Sequence, residues 1–335
     1  MKNNKLCAGL VGCGTIAPVH LAALKNLGVE VVALCDVKTD RAEKRKEAYA
    51  DGARIFSDYT QMLKEVPEID VVHICVPHYL HTPMAIMALE AGKHVFMEKP
   101  VGISEEDVTR LAAAEKAAKG KLCICFQNRY NDSTVAMDAL VEKYGKPIGC
   151  RAFVNWTRDA AYYTESGWRG AYATEGGGVM INQAIHTLDL MLRYMGKPLS
   201  LSATTANHHL KGVIEVEDTC EIFLRFENGG IGNFYATNSY VSNASIIMEL
   251  TFPGHAVSFI GDKVYDNGEP VALAVNNAQT VGKSYWGKSH EILISRFYSA
   301  VEKDEPTPVS LASGALSLSV LLAAYRSHGE TVTLA

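Results

Sequence analysis

Short apolar runs alternate with amphipathic stretches over roughly the first 125 residues, a pattern that predicts a parallel sheet covered by helices. Leu6–Val11 reads as a strand and Pro18–Leu27 as a helix closed by Gly28. Val29–Cys35 is a second strand, and Asp40 with Glu43 has the spacing of a capping box for a helix running to Tyr49. Arg54–Phe56 predicts a short strand, Asp58 a cap for a helix through Glu65, and Ile69–Val76 a strand buried on both faces. A helix over His81–Ala91 stops at Gly92, and His94–Met97 is the next strand. Ser104 and Asp107 repeat the capping-box pattern for a helix ending near Gly120, and Lys121–Phe126 supplies a sixth strand. Together these elements make a doubly wound unit of two mononucleotide-binding halves.

After a helix at Ser133–Tyr144, the turn Gly145-Lys146-Pro147 marks a change of pattern. Strand-like segments then follow one another at Ile148–Trp156, Leu199–Ala206, Thr219–Phe226, Ile231–Thr237, Ile246–Phe252 and Ala256–Ile260. Asn228-Gly229 and Asn267-Gly268 are hairpin signals. One helix interrupts this series at Gly178–Tyr194, and two more close the chain at Ser289–Val301 and Leu311–Ser327. The expected fold is α/β plus α+β: an N-terminal Rossmann doubly wound parallel sheet followed by a C-terminal domain built on a mainly antiparallel sheet.

A chain of 335 residues is too long for one hydrophobic core. Two domains are expected, a dinucleotide-binding Rossmann domain at 1–127 and an α+β domain at 128–335 for substrate binding and oligomerisation. The closing helices are free to pack back on the first. The net charge of −5 gives no support for a nucleic-acid partner. No stretch approaches ~18 consecutive apolar residues, so no membrane span is expected. The glycines at 9, 12 and 14 break the only early apolar run, which does not read as a signal peptide. None of the eight cysteines forms a C-x-x-C pair, and most lie in strand-like runs. They read as buried thiols of a cytoplasmic protein, with no metal site.

The first turn carries chemistry. Gly12-Cys13-Gly14-Thr15-Ile16-Ala17 follows the first strand and opens the first helix. Gly12 permits the tight turn, Gly14 lets the backbone approach a pyrophosphate, and Ala17 permits close packing of helix on sheet. The helix N-terminus offers N–H groups to phosphates. The second strand ends in Asp36, 19 residues after Ala17, where a carboxylate accepts hydrogen bonds from the adenosine ribose and repels a 2′-phosphate. NAD is favoured over NADP, although Lys38 and Arg41 stand nearby.

Two further places suit catalysis. The fifth strand ends in Met97-Glu98-Lys99-Pro100, so Lys99 stands at the carboxyl edge of the sheet, where ligands of such sheets bind. Desolvation there lowers the pKa of a lysine toward the proton-transfer range. The helix beginning Gly176-Gly177-Gly178 carries Asn182 and His186 four residues apart on one face, with Asp189 a turn further on.

These segments together resemble the Gfo/Idh/MocA oxidoreductase family. Gly12–Ala17, Glu98-Lys99-Pro100 and the Gly-led Asn182/His186/Asp189 helix carry the likeness. Cys75-Val76-Pro77-His78-Tyr79-Leu80-His81 is similar to the family's C-T-P-N-x-x-H turn. The resemblance implies NAD(P)-dependent hydride transfer on sugars, inositols or sugar derivatives, with Lys99 as acid/base and His186 as its partner. It implies cofactor contacts from Gly12, Gly14, Thr15, Ile16, Asp36, Val76, Pro77, His78, His81, Glu98, Lys99, Trp168 and Arg169. Arg129, Tyr130, Asn182, His186 and Tyr285 are the implied substrate residues. The family often has aspartate where Asn182 stands, and an amide cannot relay a proton. Two alternatives share the fold: an NAD-dependent glycosidase working by transient oxidation and elimination, and a non-catalytic dinucleotide-binding regulator. The open sheet face predicts a homodimer or homotetramer through the C-terminal sheet.

Overall fold

The computed structural model describes residues 5–273 and 286–334. In chain order the elements begin with β1 (Cys7–Val11), α1 (Ala17–Asn26), β2 (Glu30–Cys35), α2 (Thr39–Tyr49), β3 (Arg54–Phe56), α3 (Tyr59–Glu65) and β4 (Val71–Ile74). They continue with α4 (His81–Glu90), β5 (His94–Glu98), α5 (Glu105–Ala117), β6 (Leu122–Cys125), α6 (Asp132–Tyr144), β7 (Gly149–Asn155), α7 (Ala160–Thr164) and α8 (Ile185–Met195). The rest are β8 (Pro198–Ala206), β9 (Thr219–Phe226), β10 (Ile231–Thr237), β11 (Ile247–Phe252), β12 (His255–Ile260), β13 (Lys263–Asp266), β14 (Glu269–Val271), α9 (Ser289–Glu302), α10 (Leu311–Ser327) and β15 (Val332–Thr333). The chain divides into two compact units, Met1–Tyr130 with Ala278–Gly314, and Asn131–Asn277 with Ala315–Ala335. Among the described residues no helix is long and apolar enough to cross a membrane.

The first unit is a six-stranded sheet in the order β3-β2-β1-β4-β5-β6, with every neighbouring pair parallel. Every residue of β1 and β4 is buried, as strands covered on both faces require. The order reverses between β1 and β4, which opens a crevice at their carboxyl ends. Gly12 lies there at φ +89°, and a Cβ on it would come within 2.4 Å of the Cys75 carbonyl oxygen, so no other residue fits. The predicted caps at Asp58 and Ser104 form, accepting from the N–H groups of Gln61 (2.7 Å) and Asp107 (3.1 Å). The one at Asp40 does not: α2 starts two residues earlier, with Lys38 at the cap position and Asp40 inside the first turn. There it still opposes the positive end of the helix dipole.

The second unit carries a nine-stranded sheet in the order β14-β13-β12-β11-β7-β10-β9-β8-β15. Its pairs are antiparallel except at the centre, where β7 and β10 run parallel. Strands β9 and β10 alternate buried and open positions, so one face is packed and the other is open. Asn267 and Gly268 both have positive φ, 50° and 86°, the type I′ geometry expected between β13 and β14. The helix expected over Gly178–Tyr194 is interrupted: Met180–Ala184 is a π-helical turn and the α-helix begins only at Ile185. Short elements with too few residues to show a period (α7, β13, β14 and β15) were not legible in the pattern.

Candidate active site

In the first unit the glycine turn is held from two sides. Gly12 N–H donates to the Cys35 carbonyl (2.8 Å), and Cys13 N–H donates to Oδ2 of Asp36 (2.8 Å). Asp36 Oδ1 accepts from Lys38 N–H (2.8 Å), so this buried carboxylate organises the turn and keeps a further lone pair on each oxygen. Arg45 of α2 reaches back to the carbonyls of Cys13 (3.3 Å) and Gly14 (3.2 Å). With its carbonyls tied back, the turn leaves its other face clear: a Cβ on Gly14 would meet nothing within 4 Å. An open glycine face at a helix N-terminus, with an acid at the end of the next strand, fits a dinucleotide. Burial and the Asp36 charge push the Cys13 thiol up to about 12, so it stays protonated.

The neighbouring strand ends are joined by His81. Its Nδ1 lies 2.6 Å from the Pro100 carbonyl and its Nε2 lies 2.9 Å from that of Val76. The imidazole therefore ties the turn after β4 to the turn after β5. Val76 and Pro77 are half-buried at this edge, and His78 is buried beside His81. Lys99 is half-buried between buried Glu98 and buried Pro100. Burial alone would raise the Glu98 carboxyl, but the hydrogen bond from His20 holds it below the usual range. Arg129 lies over the Phe126 ring (5.6 Å), and Tyr130 stacks under Arg296 (5.2 Å).

In the second unit the Asn182/His186 segment is anchored at its start by Glu217. That buried carboxylate accepts from Gly178 N–H (2.9 Å), Met180 N–H (3.0 Å) and the Tyr325 hydroxyl (3.0 Å). The glycine run exists for this approach: a Cβ on Gly178 would lie 1.8 Å from the Glu217 carbonyl oxygen, and one on Gly177 would lie 1.9 Å from the Tyr325 hydroxyl. Across 180–190, only Asn182 and His186 are less than fully buried. A π turn at that place is a common mark of a functional site. Asp189 is buried and accepts from Ser317 (3.2 Å), a packing role.

Asn182 has a defined orientation. Its Nδ2 lies 2.5 Å from Oε1 of buried Glu175, and a carboxylate can only accept. The same nitrogen lies 3.5 Å from the Tyr162 hydroxyl. Tyr162 also accepts from Gln183 (3.0 Å) and carries Arg169 over its ring at 4.5 Å; Arg169 also covers Trp168 at 4.6 Å. Nε of Arg169 is buried with no hydrogen-bond partner among the described residues, a donor awaiting an acceptor.

Residues 6–126 match the family described as "Oxidoreductase family, NAD-binding Rossmann fold", and residues 136–263 match the "GFO/IDH/MocA C-terminal domain". The chain belongs to the Gfo/Idh/MocA oxidoreductase family. It is 36% identical over 148 residues to an inositol 2-dehydrogenase of Salmonella paratyphi B; that match covers 43% of this chain and 44% of the relative, about half its length. A 1,5-anhydro-D-fructose reductase of Ensifer adhaerens is 28% identical over 333 residues, 95% of each chain. Among solved structures, the WlbA dehydrogenase of Bordetella pertussis, in complex with NADH and UDP-GlcNAcA, has 28% identity and a TM-score of 0.86, covering 99% of both chains.

The residues that support these loops were not marked by the sequence pattern. Arg45 and Glu217 bear on the glycine turn and the Gly-led helix from 32 and 39 residues away, and Glu175, seven residues before Asn182, has no spacing that marks it as that residue's partner. Tyr162 sits on the short α7, where the one available signal was Asp159, whose carboxylate caps that helix at Tyr162 N–H (3.0 Å). Tyr285 lies outside the described residues.

Proposed function

We propose that this chain interconverts a secondary alcohol and a ketone on a sugar, inositol or sugar derivative, with NAD(H) as hydride partner and Lys99 and His186 as the acid/base pair. The reading is carried by one observation: Lys99 is half-buried at the carboxyl end of β5, on the sheet edge where the face of Gly14 is open. The relatives named above act on or bind molecules of this class, which supports the substrate assignment.

Bound NAD supplies the hydride acceptor for oxidation, and its reduced form the donor for the reverse. The protein's own share is proton handling and alignment. Neutral Lys99 takes the hydroxyl proton during oxidation, and His186 hydrogen-bonds the same hydroxyl. Asn182 Oδ1 accepts from a substrate hydroxyl, and Arg129 and Tyr130 add polar contacts. The spare lone pairs of Asp36 accept from the adenosine ribose and disfavour the 2′-phosphate of NADP. Arg169 offers its orphaned Nε–H to the cofactor. Exposed Phe223, Ile231 and Ile260 on the second sheet support pairing of chains into a dimer or tetramer.

The test is a nicotinamide-absorbance screen across polyols, aldoses, uronates and sugar nucleotides with NAD and NADP. Lys99→Ala should lower turnover ~10²-fold or more with cofactor affinity little changed. Unchanged turnover in that variant removes the mechanism. Aglycone release from aryl glycosides without net NADH favours the oxidation–elimination glycosidase instead.

A further inference from the structure

Beneath Lys99 runs a row of buried polar groups that the hydride-transfer scheme does not use. Glu98 Oε1 lies 3.0 Å from Nε2 of His20, on α1. Nδ1 of His20 lies 3.0 Å from Nδ1 of His73, in β4. Nε2 of His73 lies 3.0 Å from the hydroxyl of Tyr298, on α9. His20 and His73 have no exposed surface, and Phe96 packs edge-on to one and tilted against the other. The row begins at the carboxyl edge, where Glu98 ends β5. Its far member lies within electrostatic reach of half-buried Asp70, which precedes β4 at the amino edge.

The close approach of two Nδ1 atoms restricts the protons: one ring must donate and the other accept. With Glu98 ionised and His73 neutral, two patterns satisfy every contact. In the first, neutral His20 donates through Nε2 to Glu98 and accepts at Nδ1 from neutral His73, whose Nε2 accepts from Tyr298. In the second, His20 carries both protons, His73 is the Nε2–H tautomer, and Tyr298 accepts from it. They differ by one proton. Tyr298 passes its hydroxyl proton to His73 Nε2 and takes another from outside, while His73 passes its Nδ1 proton to His20. Only N–H and O–H bonds break or form, and His73 stays neutral throughout. Burial already depresses His73 far below the usual imidazole range.

We propose that Glu98, His20, His73 and Tyr298 form a proton wire that loads one proton onto the His20–Glu98 pair through a tautomer switch of His73, and so sets the charge beside Lys99. The inference rests on Lys99 being the acid/base group. The other groups facing Glu98 do not supply this charge change. Buried Cys75 and Cys125 stay protonated, with burial first and Glu98 second pushing both thiols up. Burial depresses His81, whose ring is held between two carbonyls, and it holds His290 down to about 3, so His290 stays neutral.

The test uses the full chain with NADH bound and long-range ¹⁵N–¹H spectra of the imidazoles. His73 should change from Nδ1–H to Nε2–H as pH falls from about 9 to about 5.5, without an imidazolium signal. A single His73 tautomer throughout, or a charged His73, overturns the wire. Tyr298→Phe removes only the entry hydroxyl; it should abolish the switch and lower kcat ~10-fold with the Kd of NADH unchanged. A persisting switch in that variant also overturns the proposal. The spectra need no turnover, so absence of dehydrogenase activity would retire the proposed function while His73 still decides the wire.

Discussion

Asn182 donates its amide to the buried carboxylate of Glu175 across 2.5 Å, so an acid stands directly behind the position where the family often has aspartate. The asparagine is matched to its neighbour. Asn182→Asp would press two carboxyls together, and the pair would have to share a proton. A carboxyl whose folded pKa is raised is stabilising while protonated and loses that contribution as pH rises. The variant should therefore lose ~1–3 kcal/mol more at pH ~8 than at pH ~5. Adding Glu175→Gln should restore it. Thermal unfolding at the two pH values checks this; parent-like melting at both would show that the pair is not coupled.

Asp36 serves two masters, the glycine turn and the proposed ribose. Asp36→Ala removes the acceptor for Cys13 N–H and Lys38 N–H. Losing charge-assisted hydrogen bonds of this kind costs about 1.5–3 kcal/mol, so NADH affinity should fall roughly 10- to 100-fold. NADPH affinity should fall less, because the repulsion of its 2′-phosphate goes as well. Fluorescence titration with both nucleotides decides it, and an equal loss for the two would refute the selectivity argument.

Glu217 gives the Asn182/His186 segment a pH-dependent anchor. Burial pushes its carboxyl up to about 7, against the opposing hydrogen bonds from Met180, Gly178 and Tyr325, from an ordinary value of 4.5. Between these values the folded chain holds a proton that the unfolded chain has released. Its contribution to stability is therefore fully present below 4.5 and is lost as pH rises through about 7. The slope cannot exceed about 1.4 kcal/mol per pH unit for one proton. Glu217→Gln should remove it, and chemical denaturation across this window measures the difference between the two proteins. Parallel curves would mean that the carboxylate remains ionised.

What the sequence reveals follows from the range of the interaction. The six parallel strands were legible because strands buried on both faces leave mostly apolar runs, as at Leu122–Cys125. Asp58 and Ser104 were legible because a cap acts within three residues, and Asp40 misled because the same spacing also fits a first-turn acid. Gly178 was visible, but its reason was not: the atom it makes room for belongs to Glu217, 39 residues on. His20 and His73 are 53 residues apart and meet only because α1 packs across the sheet. A histidine inside Val71–Ile74 reads locally as one polar residue in an apolar strand.

Glycines at the two ends of this chemistry should separate stability from binding. A Cβ on Gly14 meets no atom within 4 Å and its φ is not in the left-handed region, so Gly14→Ala should fold with stability within ~0.5 kcal/mol of the parent. The added methyl instead stands where a pyrophosphate must approach, and NADH affinity should drop ~10-fold or more. Gly178→Ala is the converse. Its Cβ would lie 1.8 Å from the Glu217 carbonyl oxygen, a backbone atom in a packed strand connection that cannot swing aside. That overlap should cost at least about 3 kcal/mol, because the helix start must move away from the carboxylate that anchors it. Calorimetry and nucleotide titration on both variants read the two effects separately. Gly14→Ala that binds NADH like the parent would show that the open face is not the cofactor's, whatever its effect on melting.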